Sequence, residues 1–335
     1  MSSVSTEERR CAARVAPLDP AGYVRHAIHG EDRTWTETNC YTDLVIELVH
    51  GLGNDPCAML PFTLAIDFEG DQWTFFKPRA NELADLYGLE VQELALWRPL
   101  ADHFLEQVEA GRVILAEVDS FYLPDTAGTA YRATHTKTTI GVNAIDVAGK
   151  RLAYFHNAGY FLLEGEDFDE VLQTAGAPHA RVLPPYVEFV KTRRYFSPPR
   201  GEALTRLCLE ILARQLRAGP RDNPFPRFKA RMAADLSWLL QSDLERFHAY
   251  SFATLRQFGA CYELAATHLD WLAARGSPEL AAPAGALREI AAEAKATQFQ
   301  LARSMARRKP LELQPIDRMG SLWQRAYEPL HARFP

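Results

Sequence analysis

The sequence predicts an α+β protein in which a mixed domain is followed by an all-helical domain. Runs of β-branched and aromatic residues occur only in the first part of the chain, whereas the part beyond Tyr195 is rich in Ala, Leu and Arg. Between them, YFSPPRGE (195–202) places two prolines and a glycine where no regular element continues. We therefore expect an N-terminal segment (1–30), an α+β domain (31–194) and a helical domain (195–335).

Hydrophobic periodicity predicts the elements of the mixed domain. Apolar residues recur at helical spacing before Gly51, which ends the helix: Tyr41, Leu44, Val45 and Leu48. The other predicted elements are helices at 80–87 and 100–110, a buried strand at 112–123, and two strands within 134–163 around a turn at 148–150.

The helical domain begins with the clearest amphipathic pattern in the chain, over 202–217. Its apolar stripe consists of Leu204, Leu207, Cys208, Ile211 and Leu212. Further helices are predicted at 228–241, 243–258, 260–274 and 284–307.

Composition excludes several functional classes. Hydrophobic residues make up 47% and charged residues 24% of the 335 residues, as in typical soluble proteins, and the net charge of −6 argues against nucleic acid as a partner. The chain has no apolar run of about 20 residues, and its N-terminus lacks the apolar region of a secretory signal. The five cysteines are scattered without a CxxC pair, which favours reduced thiols. We expect a cytoplasmic protein without a membrane partner.

Common catalytic motifs are absent from the sequence. It contains no GxxxxGK[ST] phosphate loop, no HExxH and no GxSxG. GLGND (51–55) is half of a dinucleotide fingerprint but follows a helix, so we interpret it as a turn. His26, His29 and His50 have no metal-ligand partner at useful spacing, and no metal site is predicted.

Cys40, in TWTETNCYTDLVIELVHGLG, is the candidate nucleophile. If Asn39 or Thr38 caps the helix, the sulfur lies in its first turn, where free backbone N–H groups favour a thiolate and stabilise an oxyanion. The alternative is a small buried hydrophobic residue, which is the commoner role of a single cysteine at a helix start.

A cysteine nucleophile needs a base and a group that orients the base. His135 stands at the start of a β-rich run, and Asn157 follows the return strand. A helix-borne Cys, a His at a strand entrance and then an Asn is the chain order of papain-like enzymes. A structural role for either residue stays open.

Residues 38 to about 170 resemble the N-terminal-domain family of butirosin biosynthesis protein H, a family of papain-like cysteine acyltransferases. The resemblance is carried by NCYTDLVIELVHGLG, AMLPFTLAIDFEG, GRVILAEVDSFYL, HTKTTIGVNAID and YFHNAG. It implies a papain-like fold with Cys40 as nucleophile, His135 as base and Asn157 as third member, with the adjacent His156 as an alternative. The whole chain resembles still more closely an uncharacterised bacterial family of unknown function.

The resemblance is incomplete at the oxyanion hole. Peptidase relatives carry a glutamine a few residues before the cysteine, whereas position 34 is Thr. An oxyanion hole would then use the Cys40 backbone N–H together with the Asn39 or Thr38 side chain.

Two further residues are substrate-site candidates. Asp119 ends the predicted central strand and either orients substrate or is a solvated carboxylate. Trp73 lies in FEGDQWTFFKP (68–78), which is either the rim of a binding loop or an aromatic core segment.

A basic run marks the start of the helical part. From Lys191 to Arg231 there are eleven Lys and Arg residues against three acids. Such a flank suits an acidic carrier protein or the phosphate of its pantetheine arm, although a solvated face of Arg-rich helices has the same composition.

We therefore predict a cysteine-dependent transferase that takes an acyl or aminoacyl group from a carrier-protein or coenzyme A thioester. The acceptor would be a small-molecule amine or alcohol, and no bound cofactor is expected beyond the phosphopantetheine-linked substrate. The alternatives are a papain-fold thioesterase or amidase, and a non-catalytic scaffold.

Overall fold

A computed structural model describes residues 12–174 and 184–335. It confirms the α+β class, with an antiparallel sheet and a helical C-terminal region. The strands are β1 Ala12–Arg14, β2 Leu89–Glu93, β3 Val113–Asp119, β4 Lys137–Asp146, β5 Arg151–His156, β6 Gly159–Glu164 and β7 Val187–Thr192. The helices are α1 Cys40–Gly51, α2 Ala80–Tyr87, α3 Leu100–Glu109, α4 Gly165–Leu172, α5 Gly201–Ala218, α6 Phe225–Leu239, α7 Leu244–Ser251, α8 Gln257–Ala273, α9 Ala281–Arg307 and α10 Gln314–Arg333. Among the described residues, no helix combines the length and apolar character needed to cross a bilayer.

The chain divides into two compact units. Among the described residues, the sheet unit consists of 12–25, Asp43–Asn54 and Gly88–Phe196, and the helical unit of His26–Thr42, Asp55–Tyr87 and Ser197–Pro335. The last strand ends at Thr192 and α5 begins at Gly201, on either side of the predicted boundary near residue 195. The segments 26–42 and 55–87 nevertheless belong to the helical unit, because contacts rather than chain order define a compact unit.

The sheet has the strand order β2-β7-β3-β4-β5-β6, with β1 added beside β4. All of its pairings are antiparallel. A bulge between Val142 and Ala144 interrupts the β4–β5 register and leaves Asn143 as the extra residue. The buried Asn143 amide bonds to both backbone groups of Ala16 and to the Tyr160 hydroxyl, so the bulge attaches the N-terminal segment to the sheet.

Helices cover both faces of the sheet. On one face α3 and α4 form a core with β3, β4 and β5, in which Phe104, Ile140 and Phe168 are buried. On the other face α1 lies close to the strands, since a side chain at Gly51 would meet the Phe155 ring at 2.8 Å. Gly51 therefore both ends α1, as predicted, and permits its close approach to β5.

Trp73 belongs to the core of the helical unit. It is 1% exposed and packs against rings of α6 and α8, among them Phe225, Phe228 and Phe258. The sequence was consistent with either the rim of a binding loop or an aromatic core segment at this position. Because the Trp73 side chain is buried among aromatic rings, its position fits a core segment and does not fit a rim.

The structure contains elements that the sequence did not predict. Residues 134–163 form three strands instead of two, because the chain turns again at Asn157, where φ is +44°. The edge strand β2, its neighbour β7 and the last helix α10 were also missed. Between α7 and α8 the predicted helix is interrupted by a π-turn over Phe252–Arg256.

Candidate functional site

His135 and Asp119 form a pair at one end of β3 and β4. Antiparallel pairing sets Asp119, the last residue of β3, opposite Lys137, and thereby brings His135 back beside the carboxylate. The distance between His135 Nδ1 and Asp119 Oδ2 is 2.5 Å. The other oxygen, Oδ1, accepts hydrogen bonds from the backbone N–H groups of Phe121 and Thr136, which fix its orientation.

This pairing determines the tautomer of a neutral His135. An ionised carboxylate can only accept, so Nδ1 carries the proton and donates it. Nε2 then has a lone pair, and it forms no hydrogen bond within the described part of the chain. The His135 side chain is 66% exposed and that of Asp119 34% exposed, so an external reactant can reach the ring. A base held by a carboxylate and open on its other nitrogen is suited to proton transfer.

The loop between β3 and β4 holds this pair in place. The Phe121 ring stacks on His135, with 4.2 Å between centroids and 13° between planes. The base of the loop is closed by Ser120, whose backbone N–H and hydroxyl both donate to the Thr136 carbonyl. Tyr131 and Arg132 both bond to Asp167 of α4, which fixes the far end of the loop.

Cys40 is the first residue of α1, as predicted. The Asn39 side chain caps the helix, since its Oδ1 accepts from the Thr42 backbone N–H at 3.0 Å. The thiol is half-buried. Cys40 belongs to the helical unit and His135 to the sheet unit, so their pairing stays a prediction.

The other described thiols are poor nucleophiles. Burial raises the pKa of Cys57 and of Cys208 to about 12, and it raises the pKa of Cys261 well above its ordinary value. Because the thiolate is the reactive form, these three cysteines stay protonated and unreactive near neutral pH.

The two predicted oxyanion donors are both buried in the helical unit. Asn39 Nδ2 donates to the Phe76 carbonyl, so one of its two N–H groups is already used. The Thr38 carbonyl accepts from Arg256 Nε at 3.3 Å, which ties the segment before Cys40 to the π-turn.

His156 lies in a second histidine–carboxylate pair that is sealed inside the sheet unit. Its Nδ1 is 2.5 Å from Asp125 Oδ2, and its Nε2 is 2.7 Å from the Thr138 hydroxyl. The Tyr154 hydroxyl donates to the other oxygen of Asp125. With side chains 1% and 4% exposed, His156 and Asp125 have all their polar atoms within this network.

Asn157 occupies the turn that follows His156, and the hydrogen bond and ring contacts of His135 within the described residues involve Asp119, Phe121 and Tyr122 instead. Its proposed orienting role stays a prediction, whereas Asp119 makes the bond that such a role requires. The sequence analysis named Asp119 as a substrate candidate and preferred Asn157 to it as the orienting residue. A prediction of the β3–β4 pairing, which places Asp119 opposite Lys137 and so close to His135, could have identified Asp119 as the partner of His135.

Asp125 and Phe121 were missed altogether. Both lie in the loop after the central strand, where turn residues carry no periodic signal. A carboxylate buried in a loop is recognised only when its histidine partner from another strand is known.

The basic run is largely neutralised by neighbouring acids. Six of its eleven cations form ion pairs: Lys191 and Arg193 with Glu90, Arg214 with Asp85, Arg227 with Asp67, Lys229 with Asp317, and Arg231 with Asp235. This pairing reduces the net positive field that the flank offers to an acidic partner.

Comparison with known proteins identifies the family. No curated protein matches the chain. Two family models match it in succession, the DUF1839 N-terminal domain over residues 24–192 and the DUF1839 C-terminal domain over residues 201–332. The exposed His135–Asp119 pair lies in the region matched by the N-terminal model. Because the two models together cover most of the chain, the protein belongs to the DUF1839 family.

Proposed function

We propose that this protein is a cysteine-dependent acyl or aminoacyl transferase with a papain-like catalytic domain. The observation that carries the proposal is the exposed His135–Asp119 pair, in which Nε2 is open. Cys40, in the first turn of a capped helix, supplies the nucleophile. The choice of acyl transfer rests on the resemblance of residues 38–170 to the acyltransferases related to butirosin biosynthesis protein H.

The first half-reaction forms an acyl-enzyme. His135 Nε2 takes the thiol proton while the Cys40 sulfur bonds to the thioester carbonyl carbon, and the carbonyl π electrons move to oxygen. The tetrahedral intermediate collapses, the bond to the donor sulfur breaks, and the departing thiolate takes the proton from His135. Throughout, Nδ1–H stays bonded to Asp119, which stabilises the transient imidazolium.

The second half-reaction transfers the acyl group. An amine or alcohol attacks the Cys40 thioester, His135 removes its proton, and the Cys40 thiolate leaves and is reprotonated by His135. If water replaces the acceptor, the same steps give a thioesterase, and with an amide donor, whose leaving nitrogen takes the proton from His135, they give an amidase. A phosphopantetheine-linked donor, on a carrier protein or as coenzyme A, is part of the proposal.

We assign the orienting role to Asp119 instead of Asn157. A neutral histidine has one N–H and one lone pair, and the N–H of His135 already points at Asp119. An amide bonded to Nε2 would occupy the nitrogen that must exchange the proton.

Intact-protein mass spectrometry tests the proposal. The protein, with Cys11→Ser to remove the cysteine outside the described residues, is incubated with acyl-coenzyme A and acylated carrier protein. We expect an adduct of one acyl group that is absent in Cys40→Ser and formed at least about 100-fold more slowly in His135→Ala. A thiol probe near neutral pH should label Cys40 in preference to Cys57, Cys208 and Cys261.

The competing function is a non-catalytic scaffold in which Cys40 is structural. An absence of adduct with every donor, together with unselective labelling or none, would support the scaffold and contradict the transferase. A Cys40-dependent adduct that water alone discharges would support the hydrolase.

A further inference from the structure

Three potential metal ligands meet in the helical unit, away from the His135–Asp119 pair. They are His26, Asp55 and Cys57, and their ligand atoms all lie within 4.8 Å of one another. Each side chain is half-buried, so an ion can enter while part of its shell is protein. Local sequence patterns do not predict this cluster, because His26 is 29 and 31 residues before Asp55 and Cys57 in the chain.

The backbone fixes two of these residues relative to each other. Asp55 caps the 3-10 segment Pro56–Ala65, and its Oδ1 accepts from the Cys57 backbone N–H at 3.0 Å. The Cys57 carbonyl accepts from Nδ1 of the buried His268 at 2.8 Å. A pair held in this way loses little conformational entropy when it binds an ion.

The third residue is held at a turn of its own. His26 caps the short turn Ala27–His29, with Nδ1 accepting from the Ile28 N–H at 3.2 Å. The imidazole is thus positioned by the segment that leads into the helical unit. An ion bound by all three side chains would join that segment to the start of Pro56–Ala65.

The surroundings of Asp55 leave one oxygen for a metal. Trp271 Nε1 donates to Oδ2 at 2.7 Å, and the Arg275 guanidinium lies 3.5 Å from the same oxygen. Oδ1 has a second lone pair beside the bond from Cys57. Hydrogen bonds of this kind to the non-ligating oxygen orient the carboxylates of metal sites.

We propose that His26, Asp55 and Cys57 bind a zinc ion, with water as the fourth ligand. One imidazole nitrogen, one carboxylate oxygen and one thiolate form a donor set that zinc accepts in tetrahedral geometry. The carboxylate and thiolate together balance the charge of the ion. Metal–ligand distances of about 2.0–2.3 Å require the ligand atoms to close to about 3–4 Å, a movement of roughly an ångström.

Binding has a defined cost in protons and hydrogen bonds. Burial and the nearby Asp55 raise the pKa of Cys57 to about 12, so the metal must displace the thiol proton to solvent. A neutral imidazole has only one lone pair on nitrogen, so ligation by His26 gives up the long bond from Ile28.

Cobalt(II) and zinc titrations of the full chain test this site. Cobalt should produce a thiolate-to-cobalt charge-transfer band in the near ultraviolet, and zinc should abolish it by displacement. The band should vanish in Cys57→Ala and persist in Cys40→Ala, which removes the other half-buried thiol of the described residues. Calorimetry should show zinc affinity reduced at least about tenfold in Asp55→Asn, a substitution that keeps a helix-capping side chain.

Thermal unfolding with and without zinc distinguishes a loss of zinc binding from a failure of the variant to fold. Zinc should raise the melting temperature of the wild-type protein and leave that of Cys57→Ala unchanged. If there is no charge-transfer band, or if the band is undiminished in Cys57→Ala, the site does not exist. Neither result depends on acyl transfer, because the readout is metal binding alone.

Discussion

The sheet unit contains two histidine–carboxylate pairs that differ in exposure. His135 and Asp119 lie at the strand ends with side chains 66% and 34% exposed, whereas His156 and Asp125 are 1% and 4% exposed. Both have Nδ1 at 2.5 Å from a carboxylate oxygen. The second nitrogen differs, since that of His156 is bonded to Thr138. Bond geometry alone therefore does not identify a catalytic pair, because proton exchange with a substrate also requires an open nitrogen.

The largest expected effect is on stability and comes from the buried pair. His156→Ala leaves Asp125 buried without its partner and should lower the free energy of unfolding by about 3–5 kcal/mol. His135→Ala should change it by less than about 1 kcal/mol, since exposed ion pairs contribute little. Urea unfolding of both variants at pH 7.5 measures the difference. Equal losses would contradict the division into a structural and a functional pair.

A third histidine, His268, differs from both pairs because it is buried without an ion-pair partner among the described residues. Burial lowers the pKa of His268 to about 4, below the value of about 6.5 in the unfolded chain. Its contribution to stability is therefore complete above about pH 6.5 and is lost as the pH falls towards 4, where the unfolded chain binds the extra proton. At about 1.4 kcal/mol per pKa unit, the loss is about 3 kcal/mol.

Urea unfolding at a series of pH values checks this prediction. In His268→Gln the decrease in stability between pH 6.5 and 4 should be smaller than in the wild type by about that amount. An unchanged slope in the variant would show that other groups bind the proton.

A substitution in the exposed pair should reduce the activity of the protein without reducing its stability. Asp119→Asn removes the charge that stabilises the His135 imidazolium, and we expect acyl-enzyme formation to slow by about 100-fold. The free energy of unfolding should change by less than about 1 kcal/mol. Rapid-quench mass spectrometry of the Cys40 adduct provides the rate, and full activity in this variant would exclude Asp119 as the orienting residue.

The smallest effect concerns Asn157, the residue that the sequence analysis assigned to orientation. Its φ of +44° means that Asn157→Ala strains the turn by about 1 kcal/mol, whereas Asn157→Gly removes the amide without strain. If Asp119 orients His135, acyl-enzyme formation in Asn157→Gly should equal that of the wild type. A decrease of about 100-fold in the rate of acyl-enzyme formation, with an unchanged free energy of unfolding, would instead identify Asn157 as the orienting residue.

Much of the fold could be predicted from local patterns. The starts of α1 and α2 and the buried strand β3 follow from apolar spacing and stop signals near each element. The edge strand β2 and its neighbour β7 were missed, because their residues are partly exposed and lack a strong alternation. The turn at Asn157 was missed because it joins two strands that are both rich in aromatic residues.

Local sequence patterns are sufficient to predict the α+β class, the helix that begins at Cys40, and His135 as a candidate base. Which side chains meet depends on the tertiary fold. Asp119 contacts His135 through strand register, Asp125 contacts His156 inside the core, and His26 lies beside Cys57. The physical reason is range: periodicity and capping act over a few residues, whereas strand pairing and packing join residues that are distant in the chain.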